Sequence, residues 1–64
     1  MYRYAISGGY FEEDTRRYFY EEVEATNNVD AIKIVLGDIA WKASLEGQRV
    51  MIDTVHYEVL KERN

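Results

Sequence analysis

His56 is the one histidine in the chain, and no cysteine accompanies it. A lone imidazole has no thiolate to activate and no second nitrogen ligand with which to share a metal; a zinc site needs three or four N, S or O donors. Ser7 and Ser44 are the only serines, and the sequence suggests no base or carboxylate beside either, so a Ser-His-Asp set is not expected. His56 lies mid-way along an extended run and reads as an outward-facing surface residue. Gly8-Gly9 is followed by neither a helix nor a Lys-Ser/Thr pair, which excludes a phosphate loop and leaves a turn or a bulge. Catalytic pockets commonly enclose about 300 Å³ or more, a volume that a core this small cannot spare. These residues predict a protein that is not an enzyme. No cofactor, metal or small-molecule substrate is expected.

Two groups of charged residues could bind rather than react. Glu12, Glu13 and Asp14 form an acidic run, and Glu21, Glu22 and Glu24 follow a few residues later. A row of carboxylates of this kind could mimic DNA phosphates, although Arg3, Arg16 and Arg17 are close enough to cancel much of it. The same arginines, with Tyr18 and Tyr20, admit a second alternative. Aromatic rings on an open sheet stack unpaired bases, as RNA-recognition domains do. The net charge of −4 opposes that reading, because nucleic-acid affinity rests on Lys and Arg neutralising phosphates. A charge of this size also serves plain solubility. Tyrosine is favoured at protein contacts, and that is the use expected of Tyr18 and Tyr20.

Three strands and a helix must position these side chains. Alternation in YRYAIS and the aromatic, β-branched run RRYFYEEVEA predict a hairpin with strands at about 2–11 and 16–25, joined by the four-residue loop EEDT. Pairing Phe11 with Arg16 sets Gly8 opposite Phe19, Ile6 opposite Glu21, Tyr4 opposite Val23 and Arg3 opposite Glu24. One face is then mostly apolar, with Glu21 its exception, and the other mostly polar. A bulge at Gly8-Gly9 would shift this register by one. Asn27 is a good N-cap with Asp30 three residues on, and Gly47 a good C-cap glycine, so the helix is expected at about 28–46. A third strand is expected at about 49–61. Val50 and Ile52 have the opposite parity to Val55, Tyr57 and Val59, which places a bulge or bend at Asp53-Thr54. The tail ERN is expected to fray.

The order β-β-α-β and a right-handed crossover put the third strand beside the first. The expected fold is therefore α+β: a two-layer sandwich with a three-stranded antiparallel sheet in order 2-1-3 and one helix packed on one face. The helix carries two apolar stripes. At about 100° per residue, Ile32, Val35, Leu36, Ile39 and Ala43 share one arc and form the core side. Ile34, Trp41 and Leu45 share nearly the opposite arc, with Gly37 and Ala40 on its flank. A mid-helix glycine costs about 1 kcal/mol relative to alanine. Gly37 either marks a kink or allows something to approach closely. Contiguous exposed apolar residues mark interfaces, and Trp is enriched at their hot spots. Cover by Tyr10, Phe11 or Leu60 from within the chain is the competing expectation.

Sixty-four residues make one domain with a thin stability margin. Absence of cysteine fits a reducing, cytoplasmic setting. The start MYRYAIS has no apolar stretch of the kind a signal peptide carries, no run is long enough to span a membrane, and the chain is expected to be complete. Together these features point to a small protein-binding module, homodimeric through its helices, that occludes or bridges a partner protein. In size and in the lack of cofactor motifs it resembles the small inhibitors that phages and mobile elements direct at host enzymes or defence systems. No particular motif carries that likeness. The contact residues expected are Ile34, Gly37, Trp41 and Leu45, then Tyr18 and Tyr20.

Overall fold

A computed structural model of the chain describes residues 1–62, with side chains described as far as Leu60. The elements run β1 (Tyr2–Glu12), β2 (Thr15–Ala25), α1 (Asn28–Leu45) and β3 (Val50–Glu62). The sheet is antiparallel in order β2-β1-β3, and α1 packs on one of its faces, giving the expected α+β sandwich.

The β1–β2 register follows the pattern of side chains. Gly8 opposes Phe19, Ile6 opposes Glu21, Tyr4 opposes Val23 and Arg3 opposes Glu24, with no shift along the ladder. The pairing continues past Phe11–Arg16 to Glu12–Thr15. The connection is thus a two-residue turn, Glu13-Asp14, rather than the expected four-residue loop. Glu13 takes φ 55°, a left-handed conformation disfavoured for a residue with a Cβ. Two hydrogen bonds offset that strain. The Glu13 amide donates to the Arg49 carbonyl at 2.9 Å, and its Oε1 accepts from the Arg49 amide at 3.0 Å.

The irregularity near the glycines lies in β3, not β1. Gly9 pairs with Thr54 and Tyr10 with Ile52, so Asp53 is the extra residue of a bulge. The bulge returns Val50 and Ile52 to the same face as Val55, Tyr57 and Val59, resolving their conflict of parity. It also explains Gly8: a Cβ there would collide with the Thr54 carbonyl oxygen. A second bulge, unforeseen from the sequence, lies at Leu60, since Arg3 pairs with Lys61 and Tyr4 with Val59. Of the tail, Glu62 belongs to β3 opposite Tyr2; Arg63 and Asn64 lie outside the described residues.

The core is small. Tyr4, Ile6, Ala25, Ala31 and Val35 are buried together, with Tyr2, Phe19, Val23, Ile32, Ile39 and Val55 packed partly buried around them. Val35 and Ala43 from the expected stripe are buried. Ile32, Leu36 and Ile39 are only half-buried, because three strands are too narrow to cover a full helix side. Ala31, outside that stripe, is fully buried; its short side chain lets the first turn lie against the sheet.

Helix ends are set by local chemistry. Asn27 accepts from the Asp30 amide at 2.9 Å and its Nδ2 donates to the Asp30 carboxylate at 3.4 Å, a reciprocal cap. At the other end Gly47 (φ 70°) donates to Ser44 O at 3.1 Å and Gln48 donates to Ala43 O at 2.9 Å. This is a Schellman motif, and it ends the helix at Leu45 with Glu46 as cap.

Candidate contact surfaces

Ile34, Trp41 and Leu45 lie on the outer side of α1 at 46%, 65% and 69% exposure. The alternative expectation of cover by the hairpin aromatics or by Leu60 is not met among the described residues. Tyr10 instead meets Phe19 with ring centroids 6.0 Å apart, and Phe11 stacks with Arg16. Gly37 has open space where a Cβ would stand, so nothing among the described residues requires a glycine there. The Ser44 hydroxyl donates to the Trp41 carbonyl at 2.8 Å, beside the stripe.

The sheet face away from the helix carries Arg3, Ala5, Ser7, Gly9 and Phe11 from β1, and Arg16, Tyr18, Tyr20, Glu22 and Glu24 from β2. Tyr18 and Tyr20 are well exposed there, as the register requires. Met51 and His56 of β3 share this face. His56 faces outward, as expected; the exposure of Met51 is carried only by strand parity past the bulge.

Among the described side chains, the arginines of this face are already engaged. The Arg3 guanidinium bonds Glu22 at 3.1 Å and lies 3.8 Å from Glu24. Arg16 pairs with Asp53 while its guanidinium lies 5.3 Å from the Phe11 ring centroid and 5.1 Å from that of Tyr18. On the helix side, Arg17 pairs with Glu12 at 3.3 Å. The acidic candidates are spent on the same contacts: Glu12 on Arg17, Glu13 on the Arg49 amide, Glu22 on Arg3. Glu22 also accepts a hydrogen bond from the Tyr20 hydroxyl at 3.0 Å. The bonds from Arg3 and then Tyr20 hold the Glu22 carboxyl below its ordinary range. The same bond, aided by partial burial, raises the Tyr20 phenol. Asp14 stays exposed at the turn.

Against expectation, Ser7 does gain an imidazole neighbour. His56 is its direct cross-strand partner. The sequence concealed this, since pairing of β1 with β3 brings together residues far apart in the chain. Among the described residues no hydrogen bond joins the two side chains and none links the imidazole to a carboxylate. Among the described residues no cluster of three or more His, Cys, Asp or Glu could hold a metal ion. A shallow, open depression lies at the hairpin end, lined by Phe11, Glu13, Asp14, Arg49, Val50 and Met51. No helix is long and apolar enough to cross a membrane. Comparison with protein families, with characterised proteins and with solved structures finds no match.

Proposed function

We propose that this chain is a non-enzymatic protein-binding module of the cytoplasm, acting as a homodimer that occludes or bridges a partner protein through the outer side of α1. One observation carries the reading: Ile34, Trp41 and Leu45 stay exposed on a helix whose other side is already packed on the sheet. An indole and two branched aliphatic side chains on one rigid face supply the apolar centre that protein interfaces use. The neutralised arginines of the open sheet face favour a protein partner over a nucleic acid, because Arg3 and Arg16 are each held by carboxylates. The same pairing consumes the carboxylates that DNA mimicry would need. An inhibitor of a host enzyme, of the kind mobile elements carry, is one protein that would act in this way.

The test is co-purification from extract of the full chain, its Trp41→Asp variant and its Tyr18→Asp variant, alongside oligonucleotide binding over a range of salt. A protein captured by the wild type and by Tyr18→Asp but lost from folded Trp41→Asp supports the reading. Oligonucleotide binding that weakens steeply with salt overturns it.

A further inference from the structure

The sheet has two edges, and they differ. β3 is interrupted by bulges at Asp53 and Leu60, a device that discourages pairing with another strand. β2 runs regularly from Thr15 to Ala25 with neither bulge nor proline, and its outer side meets no other strand. Alternate backbone amides and carbonyls along that edge point away from β1.

The charges of β2 are ordered: Arg16 and Arg17 stand before Tyr18-Phe19-Tyr20, and Glu21 and Glu22 after. A twofold antiparallel pairing centred on Phe19 sets Arg17, which lies 3.3 Å from its own Glu12, opposite Glu21 of a second copy, and Tyr18 opposite Tyr20; Arg16 and Glu22 also come opposite one another, each already held within its own chain by Asp53 and Arg3. Each unlike pair and each ring pair then occurs twice. Moving the centre to Tyr20 sets Arg16 against Glu24 but leaves Phe19 against Glu21 and Arg17 against Val23, so Glu21 gains no counter-charge; centring on Tyr18 leaves no opposite charges facing one another. A parallel arrangement sets like against like. Charges on an edge strand usually repel other strands. Here they repel most strands but complement their own copy.

Glu21 supplies an independent reason. It is half-buried on the helix face of the sheet, opposite Ile6, and among the described residues it has no ion pair. A carboxylate on an apolar face is costly without a counter-charge. Arg17 lies on that same face, directly opposite Glu21 in the Phe19-centred register.

We propose that two copies of the chain pair edge to edge through β2, in antiparallel register about Phe19, joining their sheets into one continuous sheet with both helices on the same side. The inference rests on the homodimeric part of the proposed function and relocates it from the helices to the β2 edge. Both Ile34–Trp41–Leu45 stripes remain outward, available to other proteins.

The mass of the full chain is measured by light scattering after size exclusion, for wild type, Arg17→Glu, Glu21→Arg, their equimolar mixture and Trp41→Asp. The wild type is expected at twice 7.6 kDa. Each β2 variant faces like charge across the axis and is expected to self-associate at least ~10-fold more weakly, with unchanged circular dichroism. Mixing the two restores both unlike pairs and the dimer mass. A monomeric wild type, or β2 variants that remain dimers, overturns the proposal. Dissociation by Trp41→Asp alone also overturns it, and would assign the dimer to the helices. Loss of partner capture by Trp41→Asp with dimer mass retained bears on the helix stripe only. Should a β2 variant fail to fold, amide exchange on the wild type decides. Protection of the β2 amides that point away from β1 supports the edge pairing, and exchange at the rate of unprotected amides overturns it.

Discussion

Arg16 and Asp53 form a 2.5 Å ion pair although their strands are not neighbours: the guanidinium crosses the whole of β1 to reach the far edge of the sheet. It passes over Gly9, where a Cβ would collide with it. The bulge aims Asp53 toward it, and the rings of Phe11 and Tyr18 flank it. One glycine, one bulge and two rings thus serve a single side chain, which straps the two edge strands together over the open face.

A double-mutant cycle with Arg16→Ala and Asp53→Ala measures this strap. Both side chains are partly exposed, so the expected coupling is about 0.2–1 kcal/mol. It should shrink as salt screens the pair. Coupling of zero at low salt would mean that the rings alone hold Arg16.

Gly8 and Gly37 should respond to alanine in opposite directions. At Gly8 the new methyl group meets the Thr54 carbonyl and the Phe19 ring edge, so the expected loss is about 1–3 kcal/mol. At Gly37 it meets open space on an exposed helix, and the expected gain is about 0.5–1 kcal/mol. Thermal unfolding reads both, at roughly 4–8 °C per kcal/mol for a domain of this size. If Gly37→Ala is stabilising yet weakens partner capture, a close approach at that point is the reason for the glycine.

The hairpin register, the strand order and a bulge or bend at Asp53-Thr54 are legible in the sequence: the register and the bulge from side-chain pattern, with a one-residue shift at Gly8-Gly9 as the alternative, and the order from the handedness of the crossover. Phe19 must cover a bare Gly8, Arg3 must meet a carboxylate, and Val50 cannot share a face with Val55 unless a residue is inserted. The bulge at Leu60 left no such resolvable trace, since two apolar residues, Val59-Leu60, are followed by two polar ones, Lys61-Glu62, and neither register gives them one apolar face. The turn was misjudged because its positive φ falls on Glu13, where sequence would place glycine. Only the tertiary bonds to Arg49 make that choice tolerable. Ala31 was missed because burial of a small side chain depends on how closely the helix lies on the sheet. The helix face of Ile34, Trp41 and Leu45 could be read from spacing alone; the edge complementarity of β2 could not, because it emerges only once β2 is known to be at an edge.

The Tyr20–Glu22 bond gives stability a pH signature at both ends. Glu22 titrates below its ordinary 4.5, so its contribution is full above that pH and is lost as pH falls through the lower, folded-state value. Tyr20 titrates above its ordinary 10.0, so its contribution is full below that pH and is lost as pH rises through the higher value. Tyr20→Phe should reduce the alkaline loss, the remainder coming from Tyr4, whose phenol burial also raises, and reduce the acid one. Melting temperatures from pH 3 to 11 for both proteins check this, and identical profiles would show that the bond does not persist in solution.

Trp41→Asp and Ile6→Ala should separate contact from core. Ile6 is fully buried, and its truncation is expected to cost about 2–5 kcal/mol, much of the stability available to so small a domain. Trp41 is 65% exposed, so Trp41→Asp should fold with a change of no more than about 1 kcal/mol. Trp41 is also the only tryptophan, which makes its fluorescence a direct report on the stripe. The isolated protein should emit at the red end of the tryptophan range and be readily quenched by acrylamide. Binding of a partner at the stripe should shift emission to the blue and protect it from quencher. A blue, protected indole in the protein alone, at concentrations where it is monomeric, would show that the stripe is already covered and remove the ground for a contact face on α1.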